Sequence, residues 1–186
     1  ASNLVAGDTN GYSDIFVRDT NFPYATSRVS VNSSGGEAFG GDSNNPCISS
    51  DGRYVAFTSL ASDLVPGDTN GVADVFVHDR VLGTTTLVSV DSIGLQGNGA
   101  SDSSSISGDG QVIAFRSSAT NLVGGGTLGS QVFVRYMLTG TTSLVSVATG
   151  GGGGNGNSGY TQTAVSADGS TVGFSSVASD LVASDT

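Results

Sequence analysis

The sequence predicts an all-β fold built from three copies of one four-stranded unit, and three recurring signatures predict it. The segment Ile48-Ser49-Ser50-Asp51-Gly52-Arg53-Tyr54-Val55-Ala56-Phe57 returns at residues 106–115 and, loosened, at 165–174. Its aspartates, Asp51, Asp109 and Asp168, stand 58 and 59 residues apart. A Val-Ser-Val triplet keeps nearly the same beat, starting at Val29, Val88 and Val145. Ala-Ser-(Asn/Asp)-Leu-Val begins at Ala1, Ala61 and Ala178, with the variant Ala119-Thr120-Asn121-Leu122-Val123 between them. Self-similarity at one fixed period means that each repeat is a supersecondary unit burying its apolar face against its neighbours.

The second repeat shows the unit most clearly. Residues 47–49 read as a short first strand, and Asp51-Gly52 as the turn into the second, 54–59, which is rich in aromatic and β-branched residues. An irregular stretch, 61–74, leads to a third strand at 75–78. After a turn around Leu82-Gly83-Thr84, residues 85–90 read as the fourth. The apolar runs are partly continuous, as in strands covered on both faces. Apolar spacing of three and four never persists long enough for a helix. The expected core is Val55, Phe57, Phe76, Ile113, Phe115, Phe133, Val172 and Phe174, packed between units. One domain holds it all, with repeats at about 1–60, 61–118 and 119–177 and a partial fourth at 178–186.

Composition agrees and sets limits. The 186 residues include 29 glycines, 15 aspartates, one glutamate and no lysine. Asp bonds its own backbone in turns and supplies short-range metal ligands, whereas Glu favours helices. A net charge of −10 argues against a nucleic-acid partner, which needs a basic stripe. No apolar run is long enough to span a membrane as a helix. Cys47 is the single cysteine, so no disulfide forms within the chain. His78 stands where Arg18 and Arg135 stand in the other repeats, which suggests an exposed, tolerant strand position.

Four short strands per repeat joined by tight turns is the unit of a β-propeller blade. Ser49-Ser50-Asp51-Gly52-Arg53-Tyr54-Val55-Ala56-Phe57 resembles the Ser-x-Asp-Gly-x-x-(Ile/Val)-Ala-Phe signature of TolB-like propeller repeats, also described as WD40-like. Asp74-Val75-Phe76-Val77-His78-Asp79 and residues 14–19 are similar to that family's third strand, while residues 131–136 lose both acids. The resemblance covers the whole chain and implies blades of four antiparallel strands, three blade-equivalents per chain. Closed threefold folds, the β-trefoil and β-prism, are the alternative. Trefoil repeats are shorter, and their usual lectin motif contains a Trp, which this chain lacks.

In blade terms the chain runs through strands three and four, two whole blades, then strands one and two. Three blades do not close a ring whose usual count is four to eight. The expected partner is therefore a second copy, each half-blade completing the other's in a six-bladed homodimer, or else the rest of a longer chain.

The stretch that looks chemical is Gly67-Asp68-Thr69-Asn70-Gly71-Val72-Ala73-Asp74, repeated at residues 7–14. Oxygen donors fall at alternate positions, so Asp8, Asn10 and Asp14, and likewise Asp68, Asn70 and Asp74, are candidate calcium ligands. An Asx-turn followed by an Asn-Gly turn explains the same residues without an ion. The third copy offers Gly126, Leu128 and Gln131 and has no acid to bind with.

Catalysis lacks a comparable constellation. A nucleophile–base pair needs Cys or Ser beside His, and Cys47 and His78 sit on different strands. The glycine run 150–154 has neither the Gly-Lys-Ser/Thr ending nor the helix of a phosphate loop and reads as a linker. The Asp-Gly aspartates read as turn residues. The function expected is a non-catalytic interaction scaffold, calcium-stabilised, in an exported bacterial protein, extracellular or periplasmic. The alternative is an accessory or substrate-gating propeller of a secreted hydrolase, because TolB-like blades are similar to those preceding catalytic domains in some hydrolases.

Overall fold

The structure is a computed structural model that describes residues 4–184. The first Ala-Ser-Asn-Leu-Val copy lies partly outside the described residues, and Asp185-Thr186 lies wholly outside them. Twelve strands and no helix form among the described residues: β1 (Phe16–Arg18), β2 (Thr26–Arg28), β3 (Ser43–Ile48), β4 (Tyr54–Ser59), β5 (Asp74–Asp79), β6 (Thr84–Leu87), β7 (Ser101–Ile106), β8 (Val112–Ser117), β9 (Gln131–Tyr136), β10 (Thr141–Leu144), β11 (Ala164–Val165) and β12 (Val172–Gly173). They make two antiparallel four-stranded sheets, β3-β4-β5-β6 and β7-β8-β9-β10, flanked by the two-stranded sheets β1-β2 and β11-β12. No named strand of one sheet pairs with a strand of another. The four-stranded blades are therefore as expected, the sheets do not close into a ring, and the threefold trefoil or prism is not formed.

Side-chain alternation explains the continuous apolar runs. From β4 and β5, Val55, Phe57 and Phe76 face the first sheet and pack with Ile15, Val29, Ala38, Ala61 and Leu64. Ala56, Val75 and Val77 face the third, packing with Val88, Ile113, Phe115, Ala119, Leu122 and Phe133. Phe57 stacks on Phe76 and Phe115 on Phe133, each at 5.9 Å between ring centroids and 26° between planes. Six of the eight expected core residues are buried. Val172 and Phe174 are only half-buried, because β12 has a strand partner on one edge and blade contacts on one side.

Two boundaries differ from the sequence reading by more than one residue. The first strand starts four residues earlier, at Ser43, through a bulge between Asn44 and Cys47 that places Asn45 at φ 53°. The fourth stops at Leu87 rather than 90, because Ser89 leaves the ladder and its hydroxyl turns to Asp74.

Each Asp-Gly turn is fastened in one way. Ser49 donates to Asp51 Oδ1 at 2.6 Å, and the Arg53 amide donates to the same oxygen at 3.0 Å. Ser107 with Asp109, and Ser166 with Asp168, repeat the pattern. These bonds hold the Asp51, Asp109 and Asp168 carboxyls below the usual range, the last at about 2. The turns also join the blades: the Ser50 amide donates to Gly108 O and the Gly108 amide to Ala167 O. Glycine is required at 110 on two grounds. Its φ is +74°, and a Cβ there would lie 2.2 Å from the Tyr54 ring of the preceding blade.

Candidate functional site

The three irregular loops that lead into a third strand converge on one equivalent residue: Asp74 and Gln131, which open β5 and β9, and Asp14, two residues ahead of β1. Asp74 and Gln131 are wholly buried. Each of the three accepts a hydrogen bond from the serine of the following Val-Ser-Val triplet: Ser30 to Asp14 at 2.5 Å, Ser89 to Asp74 at 2.5 Å, Ser146 to Gln131 at 2.6 Å. Each serine oxygen in turn accepts the next backbone amide, from Ile15, Val75 or Val132. The Val-Ser-Val triplet thus meets the entry to the third strand at one buried point, and the triplet's serine is explained by it.

The first two loops bring together the residues that the sequence singled out. Asn10 donates to Asp14 Oδ2 at 3.0 Å and to Ala38 O, and its own Oδ1 accepts the Tyr12 amide. Asn70 does the same with Asp74 Oδ2 at 2.7 Å, Gly97 O and the Val72 amide. These are the Asx-turns of the ion-free reading. Among the described residues no group of three His, Cys, Asp or Glu side chains is placed to hold a metal.

Three further residues, not singled out from the sequence, complete the sites. In the first loop the Arg28 guanidinium sits among acids, 2.6 Å from Glu37 and 3.4 Å from both Asp8 and Asp14. In the second, the Gln96 amide nitrogen lies 2.7 Å from Asp68 and 3.0 Å from Asp74. Glu37 and Gln96 hold their loops from equivalent positions by accepting the Thr9 and Thr69 amides. In the third loop Gln131 spans the gap alone, donating to Leu128 O, Gly154 O and Gly156 O. Register alignment of the repeats carries the signal: Arg28 with Glu37, then Leu87 with Gln96, then Leu144 with Gly153.

The electrostatics follow. The first loop answers three carboxylates with one guanidinium. The second buries two carboxylates with no cation among their described partners, and Asp74 is pushed above the usual range by burial, with Asp68 beside it adding to the rise. The third carries no charge.

Cys47 and His78 lie apart from these loops. Burial pushes the Cys47 thiol up to about 11, and its Sγ faces Ser104 at 3.8 Å. His78 is buried, not exposed as its exchange with Arg suggested. Burial lowers its pKa, and Nδ1 contacts Thr85 Oγ1 at 2.9 Å. Arg18 and Arg135 reach Thr26 and Thr142 in the same way, so the exchange preserves a cross-strand bond rather than marking tolerance.

No family model and no curated protein matches the chain. Among solved structures it is similar to TolB from Acinetobacter baumannii, with 17% identity and a TM-score of 0.49 over 90% of this chain and 35% of that one. A protein described as TolB from Agrobacterium tumefaciens shows 18% identity and a TM-score of 0.47, over 90% of this chain and 47% of that one. The chain spans less than half the length of either protein. Both likenesses are of fold alone.

Proposed function

We propose that the chain is a non-catalytic interaction scaffold, a single domain of propeller blades that grips a protein partner with its hairpin tips. The observation that carries this reading recurs in three blades. Each hairpin between third and fourth strands presents large apolar side chains to solvent: Phe22 is 84% exposed, Leu82 67% and Leu138 87%. Apolar residues presented at the same place in successive units are better suited to binding than to folding. The recurrent acids, by contrast, are engaged in turns and loops, and the one Cys and one His are tied into sheets.

Calcium enters this proposal at the second loop. Asp68 and Asp74 supply two carboxylates with Asn70 beside them, and an ion there takes the place of the Gln96 amide nitrogen that bridges the two acids. The first loop, Asp8, Asn10 and Asp14, fits an ion less well because Arg28 already supplies the positive charge. Weak loops of this kind fill at millimolar calcium, which goes with an extracellular or periplasmic setting. Among the described residues no helix is long and apolar enough to cross a membrane.

The test compares the chain with the triple variant Phe22→Ser, Leu82→Ser, Leu138→Ser. Both should melt alike, and a protein retained by the parent from the source's own extract should be lost from the variant. Retention unchanged in the variant would remove the tips from the reading. Hydrolysis of peptide or polysaccharide substrates by the parent would replace the scaffold with an enzyme.

A further inference from the structure

The end of the molecule that carries the hairpin tips also carries the Asp-Gly turns, and one residue bridges the two at each junction between sheets. Where the β1-β2 sheet meets the sheet of β3 to β6, that residue is Arg80. Its backbone amide donates to Arg53 O, and its guanidinium donates to Gly52 O at 2.8 Å and to Asp19 of the preceding sheet at 3.1 Å. Where the sheet of β3 to β6 meets that of β7 to β10, the same place belongs to Met137, whose amide donates to Gln111 O. The acceptors are repeated: Asp79 corresponds to Asp19, and Gly110 to Gly52. The cation is not. A cavity of about 140 Å³ lies there instead, lined by Tyr54, Val77, Asp79, Gly110, Gln111 and Met137. Among the described residues no donor reaches the Gly110 carbonyl, and the Gln111 amide goes to Asp109 O.

We infer that this cavity takes one arginine side chain of a protein partner, its guanidinium forking between Asp79 Oδ2 and the Gly110 carbonyl as Arg80 forks between Asp19 and Gly52. Tyr54, Val77 and Met137 give the stem an apolar wall, and a cavity of this order holds one benzene-sized group. Arg53 already binds Asp79 from within its own sheet, but the load is uneven. Oδ1 of Asp79 accepts three hydrogen bonds, and Oδ2 accepts one. Asp109, next to Gly110, is exposed and engages only its Oδ1, so it adds negative charge beside the cavity. The whole chain, at −10 and without lysine, favours a cationic visitor. Arginine suits the place better than lysine because a planar fork serves two acceptors on different elements at once. The partner's being a protein rests on the scaffold reading, since the cavity lies between the hairpins that carry Leu82 and Leu138; the cavity's chemistry does not.

The probes are N-acetyl-arginine amide, its lysine counterpart and its citrulline counterpart, a neutral urea of the same shape. Each is titrated into the isotope-labelled chain and followed by the backbone amide resonances. The arginine probe should shift the amides of Gly110, Gln111 and Met137 with a Kd in the millimolar range, as one forked pair supplies. The citrulline probe should bind at least ~10-fold more weakly, because charge strengthens those hydrogen bonds, and the lysine probe should fall between. Met137→Arg installs the missing guanidinium and should abolish the response in a chain whose spectrum stays folded. The parent titrations decide the matter even where that variant does not fold. No shift at those amides, an equal response to citrulline, or a response that survives Met137→Arg overturns the inference. The two readings part cleanly. A silent arginine probe with a partner lost from the tip variant discards the cavity and keeps the scaffold, whereas a binding probe with partner retention unchanged in the tip variant does the reverse.

Discussion

The second and third repeats fold the same loop onto the same serine, one with a carboxylate and one with an amide. Asp74 needs help: its Oδ1 takes the Ser89 hydroxyl, while Asn70 and Gln96 donate to its Oδ2 and Asn70 reaches on to Gly97 O. Gln131 is one methylene longer and carries its own donor, so it takes the Ser146 hydroxyl and reaches Gly154 O without an asparagine. Leu128 then stands where Asn70 stood and is exposed. The turn therefore requires a buried acceptor and a reaching donor, and it does not require charge. A buried carboxylate beside a second carboxylate is costly unless something offsets it. The acid in the second repeat is thus the place to look for a cation.

The comparison breaks most severely at the amide. Replacing Gln131 by Leu keeps the volume but strands Leu128 O, Gly154 O, Gly156 O and the Ser146 hydroxyl. With buried unpaired groups costing about 1–3 kcal/mol each, the loss should reach at least about 3 kcal/mol in denaturant melts. A loss under about 1 kcal/mol would mean that water or a shifted loop serves those carbonyls, and that Gln131 is not the replacement argued here. The serines come next. Ser146→Ala should cost about 1–2 kcal/mol and Ser89→Ala about 2–3 kcal/mol, the larger value because the second removes a donor from a charged acceptor. Equal effects at the two sites would argue that Asp74 is protonated in the folded chain.

Much of this architecture was legible in the sequence because repetition makes a pattern visible without structure. Asp-Gly turns, Phe57, Phe115 and the third-strand phenylalanines recur in register, and blades follow from them. The loops were legible in part. Asp68, Asn70 and Asp74 were singled out for their alternating oxygens, and the structure does bring them together. Their actual partners were not, because Gln96 and Arg28 come from strands and connections more than a dozen residues away, and local spacing carries no trace of such contacts. Comparing repeats would have exposed them, since Arg28 and Glu37 give way together to Leu87 and Gln96. His78 misled for a related reason: exchange with Arg looked like surface tolerance, whereas both side chains bond the same cross-strand threonine. Val172 and Phe174 share the whole-blade pattern, but in the whole blades the third strand opposite buries these positions, and their sheet has two strands.

The mildest perturbation is Asp74→Asn, and it separates a proton from a cation as the missing positive charge. The amide keeps an acceptor for Ser89 but sets a donor against the Asn70 and Gln96 nitrogens, while it relieves a buried carboxylate, so the two effects largely offset and stability at neutral pH should change by about 1 kcal/mol. The pH dependence should change more clearly. Asp74 has its pKa raised in the folded chain, so between the unfolded value near 3.8 and the raised value the folded state holds more protons than the unfolded state. Its contribution to stability therefore falls as pH rises through that window and is flat above it. The lowered carboxyls of Asp79 and Asp168, both at about 2, act oppositely, losing stability as pH falls from about 4 toward 2. The difference between parent and variant removes these common effects: relative to the parent, the variant should gain stability as pH rises through the Asp74 window. Calcium binds the ionised form, so in the parent alone it should counter that loss, by about 1.4 kcal/mol at tenfold excess over Kd. A parent whose melting ignores millimolar calcium at pH 7, while the pH difference remains, would leave the second loop a turn with a costly acid and no ion.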